Sequence, residues 1–84
     1  MGADGAVELA ALGRRWAAIV GEEVAAHSWP VSLDHRALAL ATDHHAWASE
    51  LRFLSADLVA RLRSAGFDVA SLTVQVSPRE GRGW

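Results

Sequence analysis

The chain has 84 residues, 51% of them hydrophobic, no cysteine and a formal net charge of -2. That length makes one domain, which buries roughly 60–65% of the surface its unfolded chain exposes. The missing cysteines exclude a disulfide framework, a thiol nucleophile and a cysteine-ligated zinc site. All eight basic residues are arginine, and the overall balance is not that of a domain that grips nucleic acid by charge alone.

No window approaches the ~20 apolar residues that span a bilayer, and Met1-Gly-Ala-Asp-Gly-Ala6 lacks the basic region and apolar run of a signal peptide. A soluble cytoplasmic protein is expected. Residues 1–6 are expected to be disordered, 7–77 to form a single domain and 78–84 to be a flexible tail.

From Val7 to about His27 the apolar residues Leu9, Leu12, Trp16, Ile19, Val20 and Val24 recur at three and four positions, one stripe of a helix. Gly13 and Gly21 each cost up to about 1 kcal/mol of helix propensity relative to alanine, so each either permits close packing or marks a weak point. The helix must stop before Pro30, with Ser28 and Trp29 in its exit. Val31-Ser-Leu33 and Leu38-Ala-Leu40 alternate at period two and read as a β-hairpin turning through Asp34-His35-Arg36, with no glycine to settle the turn type.

Thr42 or Asp43 offers a side-chain oxygen to cap a second helix. In it Trp47, Leu51, Leu54, Leu58 and Leu62 share one face, and Gly66 is a natural stop. Ser55 offers a second cap, so two short helices meeting at a bend stand beside one long one. Ser71-Leu-Thr-Val-Gln-Val-Ser77 alternates throughout and is the clearest strand, ended by Pro78. The expected class is α+β, with helices on one face of a three-stranded sheet.

Asp43-His44-His45, with His27, His35 and Asp34, suggests at first sight a metal-dependent phosphoesterase. The triplet sits where a helix cap belongs, and the further acidic motifs of such enzymes are missing, so a cap and two solvated histidines are the favoured reading. His27, near the end of the first helix, reads as a structural, partly buried histidine. No catalytic, cofactor-binding or metal-binding residue is assigned, no small-molecule substrate is expected and an enzyme reading has nothing specific behind it.

The element order α-β-β-α(-α)-β resembles a KH domain of the second type, whose nucleic-acid clamp is a G-x-x-G loop between two helices. Here that place reads Phe53-Leu-Ser-Ala56, and the G-x-x-G that does occur, Gly2 to Gly5, is expected outside any folded element. Arg52 and Arg63 fall on nearly one azimuth of the second helix, about 16 Å apart by the 1.5 Å rise per residue. Arg14 and Arg15 project from the first helix. Glu22, Glu23, Glu50 and Asp57 are interspersed among them, so a mixed solvated surface is the safer reading and weak, salt-sensitive DNA binding the alternative. Trp29 either anchors a partner or folds back over the sheet edge.

Trp16-Ala-Ala-Ile-Val-Gly21, the exit His27-Ser28-x-Pro30, the hairpin, Trp47-Ala-Ser-Glu-Leu51 and the closing Leu72–Val76 strand together resemble the DciA family. The similarity covers about Leu9 to Val76. It implies a KH-like domain in a non-enzymatic replication protein that assists loading or activation of the replicative helicase DnaB, contacting helicase and DNA, single-stranded or duplex, in the nucleoid. Two departures stand out: the hairpin turn lacks the family's usual glycine, and the 84 residues include none of the basic stretches that often flank the domain. Contact is expected at Trp29, Arg14, Arg15, Arg52 and Arg63. Trp16, Gly21, His27, Pro30, Trp47 and Leu51 form a mainly structural signature. A KH-like RNA-binding or ribosome-associated module is the alternative, and the missing clamp counts against it.

Overall fold

The structure, a computed structural model, describes residues 2–77, with side chains from residue 7 onward. In chain order it comprises α1 (Gly2–Val20), α2 (Glu22–Ala26), β1 (Ser28–Asp34), β2 (Ala37–Thr42), α3 (His45–Phe53), α4 (Ser55–Ser64) and β3 (Ser71–Val76). The sheet order is β1-β2-β3, with β1 antiparallel and β3 parallel to β2. A parallel neighbour requires a crossover, and α3 and α4 supply it. The result is the expected α+β arrangement, with the first helix broken once and the second once.

The helix α1 begins at Gly2, so the stretch expected to lie outside the fold is helical, and the Gly2-x-x-Gly5 pair lies within α1. Hydrophobic periodicity reveals a helix only where apolar residues face a core, and Val7 is 69% exposed. The expected tail, including Trp84, lies outside the described residues.

The first helix does not reach His27 unbroken. Gly21 adopts φ 99 and ψ 153, a conformation open in practice only to glycine, and it forms the N-cap of α2. Nothing lies within 4 Å of where its Cβ would stand, so the glycine serves the backbone bend and not close packing. The bend turns Val24 and Ala25 onto the core and delivers His27 as the C-cap of α2, at the mouth of β1.

The hairpin is longer than the alternation suggested, because Ser28, Trp29 and Pro30 belong to β1 and Ala41 and Thr42 to β2. Trp29 is therefore a strand residue, registered opposite Ala41, rather than part of a loop. Pro30 is tolerated because β1 is an edge strand. The register shifts between Pro30 and Ser32, leaving Val31 as a bulge, 41% exposed rather than on the buried face. The turn closes on His35 and Arg36, with φ 53 and 66. Positive φ at both central residues is the signature of a type I′ turn, here built without glycine.

Leu54 (φ -90, ψ 7) ends α3 and starts α4, which makes the second helix two. Ser55 is the first residue of α4 and not its cap. At the far end Gly66, with φ 98, closes a Schellman motif: Phe67 N–H donates to Leu62 O at 3.0 Å and Gly66 N–H to Arg63 O at 3.0 Å. This turn buries Phe67 and Val69, two core residues outside every expected element.

The core lies between one sheet face and the helices. Leu12, Trp16 and Val20 of α1 meet Leu38 and Leu40 of β2, Leu51 of α3 and Leu58 and Leu62 of α4, while Leu72 and Val74 pack at its margin. Ser71, Thr73 and Gln75, which alternate with these on β3, are exposed.

Candidate partner-contact surface

Three of the signature residues, Trp16, His27 and Trp47, are tied together around the junction of α2, β1 and α3. Trp16 is 4% exposed, and its Nε1–H donates to Ser28 Oγ at 3.1 Å. Ser28 Oγ in turn donates to Val24 O at 2.7 Å. One buried hydroxyl therefore satisfies the indole and ties α1 to the end of α2. On the neighbouring strand Thr42 Oγ1 donates to His27 O at 2.6 Å, fixing the residue that leaves α2.

The His27 ring then stacks on Trp47, with centroids 4.8 Å apart and planes 15° from parallel. His27 Nδ1 lies 3.7 Å from Asp43 Oδ1, an electrostatic contact too long for a hydrogen bond. Asp43 Oδ1 is buried and accepts no hydrogen bond among the described residues. Trp47 is half-buried rather than enclosed, and it lines open grooves on both sides, one with His27, Asp43 and His44, the other with Glu23, Glu50 and Leu54.

The Asp43-His44-His45 triplet does begin a helix, but His44 is the cap. Its Nδ1 accepts from Ala46 N–H at 3.1 Å, in place of the Thr42 or Asp43 oxygen expected. Thr42 is the last residue of β2, two positions before that cap, and its buried hydroxyl turns to His27 O instead. His35 lies 3.6 Å from Asp34 in the hairpin turn. Among the described residues no three histidine or acidic side chains converge to hold a metal ion.

The five expected contact residues do not form one site. Arg14 and Trp29 line the same shallow groove with Leu9, Gly13 and Pro30, where α1 meets β1. Arg15 points the other way, its guanidinium 5.4 Å from the Phe67 ring centroid and its Nη1 3.4 Å from Ala65 O. It faces Arg61 across a groove between α1 and α4. The Arg52 Nη2 donates to Val74 O at 3.0 Å, at the edge of β3. Arg63 sits on α4, so the shared azimuth expected for Arg52 and Arg63 is lost at the Leu54 bend.

The surface is of mixed charge. Arg61 pairs with Asp57 at 3.1 Å and Arg36 with Asp68 at 2.8 Å, whereas Arg14 and Arg63 form no ion pair or side-chain hydrogen bond among the described residues. Phe53, not among the expected contact residues, is 84% exposed at the end of α3. Its signal was there: Phe53 falls off the Trp47–Leu51–Leu54–Leu58 stripe, and an aromatic off the stripe has no core to enter.

These features define a small α+β domain whose most specific chemistry is a structural tryptophan–histidine–serine network, with a dispersed arginine surface around it. The sequence matches the family model described as Dna[CI] antecedent, DciA, over residues 1–75, and the chain belongs to that family. It is similar to the UPF0232 protein of Mycolicibacterium smegmatis, 30% identical over 70 residues covering 83% of this chain and 36% of that protein. The UPF0232 protein of Mycobacterium tuberculosis H37Rv is 38% identical over 56 residues, 66% of this chain and 30% of that protein. That of Rhodococcus jostii is 29% identical over 70 residues, 83% and 37% of the two chains. The chain thus spans about a third of the length of the curated relatives it matches.

Proposed function

We propose that this domain is a non-enzymatic adaptor in DNA replication, assisting loading or activation of the replicative helicase DnaB, with weak DNA contact through dispersed arginines. Membership of the DciA family, matched over residues 1–75, carries this reading. The physical features agree with it: the Ser28 and Thr42 hydroxyls both donate to main-chain carbonyls and the His27 ring stacks on Trp47, so these side chains hold α2, β1 and α3 together. The KH-like α-β-β-α-α-β order supports a nucleic-acid-facing module, but the helix junction at Phe53-Leu-Ser-Ala56 carries no glycine pair. Phosphate contact then falls to arginine side chains, which makes binding salt-sensitive.

The test is a pull-down of purified helicase with this chain, followed by a loading assay on a covered single strand. Association together with stimulated unwinding is the expected result. Absence of both overturns the reading. A parallel titration with single-stranded RNA, single-stranded DNA and duplex separates it from an RNA-binding module, which a strong RNA preference would establish instead.

A further inference from the structure

The two edges of the sheet are treated differently. The outer edge of β1 carries Pro30, the bulge at Val31 and Asp34, three devices that blunt an edge against further pairing. The strand β3, Ser71-Leu-Thr-Val-Gln-Val76, has no proline, glycine, bulge or charge, and its register with β2 is unbroken over all six residues. The hydrogen bonds to β2 fix which of its groups face outward. Ser77 N–H donates to Thr42 O at 2.8 Å, one residue past the Thr42–Val76 pair, so the odd-numbered residues of the ladder face β2; before the strand, Arg36 O accepts from Ala70 N–H at 2.7 Å and from Ser71 N–H at 3.3 Å. In a parallel ladder the parity holds along the strand, so the N–H and C=O groups of Leu72, Val74 and Val76 point to the edge that no described strand pairs. Among the described residues Arg52 reaches this edge, its Nη2 donating to Val74 O at 3.0 Å in the middle of the row.

We propose that the β3 edge is a docking site for an extended segment of a protein partner that carries an acidic side chain, added as a fourth strand beside β3. Charge selects this occupant. In a symmetric pairing of two copies about Val74, every outward-facing group of Leu72, Val74 and Val76 finds a partner, but the two Arg52 guanidinium groups meet at the axis, and like charges there oppose self-association. A foreign strand with a carboxylate opposite Val74 removes that conflict. Its backbone N–H takes Val74 O, and the displaced guanidinium takes the carboxylate as a bidentate pair. Arg52 thus guards the edge against a second copy and selects for an acidic guest. The inference rests on the edge and not on the helicase reading.

The probe is an acetylated, amidated octapeptide of alternating threonine and valine with one central glutamate, titrated into the full chain while backbone amide exchange is followed by NMR. Saturable binding should slow exchange at Leu72, Val74 and Val76 and leave Ser71, Thr73 and Gln75, already bonded to β2, unchanged. The same peptide with lysine for glutamate should bind about fivefold more weakly, the factor that about 1 kcal/mol of exposed ion pair supports. Arg52→Glu, a change at an exposed position, should reverse the preference, and peptide with methylated backbone nitrogens should not bind. The proposal is overturned by unchanged exchange at those three amides, by equal binding of the lysine peptide, or by sedimentation of the free chain as a dimer in which they are already protected.

Discussion

His27 lies flat on Trp47, ring centroids 4.8 Å apart, and this stack joins the residue that ends α2 to the first turn of α3 across the end of the sheet. The two tryptophan segments of the signature are thereby one connected network. Trp16 reaches Ser28, Ser28 directly follows His27 along the backbone, and His27 covers Trp47.

Breaking the stack should loosen this corner without unfolding the domain. A stacked aromatic pair is worth about 0.5–1.5 kcal/mol beyond its area. His27→Ala and Trp47→Ala should each lower the melting temperature, and the double variant should lose less than their sum. Thermal melts of the four proteins measure the coupling, and strict additivity would refute a specific stack.

Ser28 is the hinge of the hydrogen-bond chain. Ser28→Ala leaves the Trp16 indole N–H buried without an acceptor, a loss of about 1–3 kcal/mol. For a domain this small that corresponds to a fall of at least about 4 °C. Trp16→Phe in the Ser28→Ala background removes the orphaned donor, so it should be less harmful there than in the parent protein. Denaturant melts that show equal penalties in both backgrounds would contradict the bond's role.

The two glycines of the first helical stretch should respond with opposite signs. Gly13 is exposed within α1, and nothing lies within 4 Å of its Cβ position, so Gly13→Ala should stabilise by up to about 1 kcal/mol. Gly21 stands at φ 99, so Gly21→Ala should destabilise by about 1–3 kcal/mol although space is free there too. Urea melts of the pair decide between backbone conformation and space as the reason for Gly21.

The adaptor reading makes a charge prediction. Arg14 and Arg63 have no charged partner among the described residues, whereas Arg61 is paired with Asp57. Arg14→Ala and Arg63→Ala should each weaken DNA binding and reduce the slope of log affinity against log salt by about 1 if each contacts one phosphate. Melting temperatures should stay unchanged. Anisotropy titrations at several salt concentrations provide the check, and unaltered slopes would remove these residues from the DNA-contact surface.

The elements whose hydrophobic pattern meets a core were legible in the sequence. The Leu12–Trp16–Val20 stripe, the hairpin, the Leu51–Leu58–Leu62 stripe and the β3 alternation all stand where periodicity placed them. What failed were ends and junctions. The first turns of α1 carry no core-facing residues, so periodicity was silent there. His35 and Arg36 adopt positive φ without being glycine, and the bulge at Val31 reversed the alternation by one residue. The short Phe67–Val69 stretch buries two side chains in a connection too brief to show a period.

The candidate contact residues were legible as types and not as a constellation. Arg14 and Trp29 share a groove only because the Gly21 bend sets β1 beside α1, and Arg52 and Arg63 part company because Leu54 interrupts the helix. Family, element order and core stripes follow from spacing along the chain and are legible without any fold. Three-dimensional packing is what lays His27 over Trp47, turns Ser28 to the Trp16 indole and stands Arg52 on the outer edge of β3. Each of these joins residues 12 to 22 positions apart, and their meeting is set by helix bends and strand register, which no local pattern encodes.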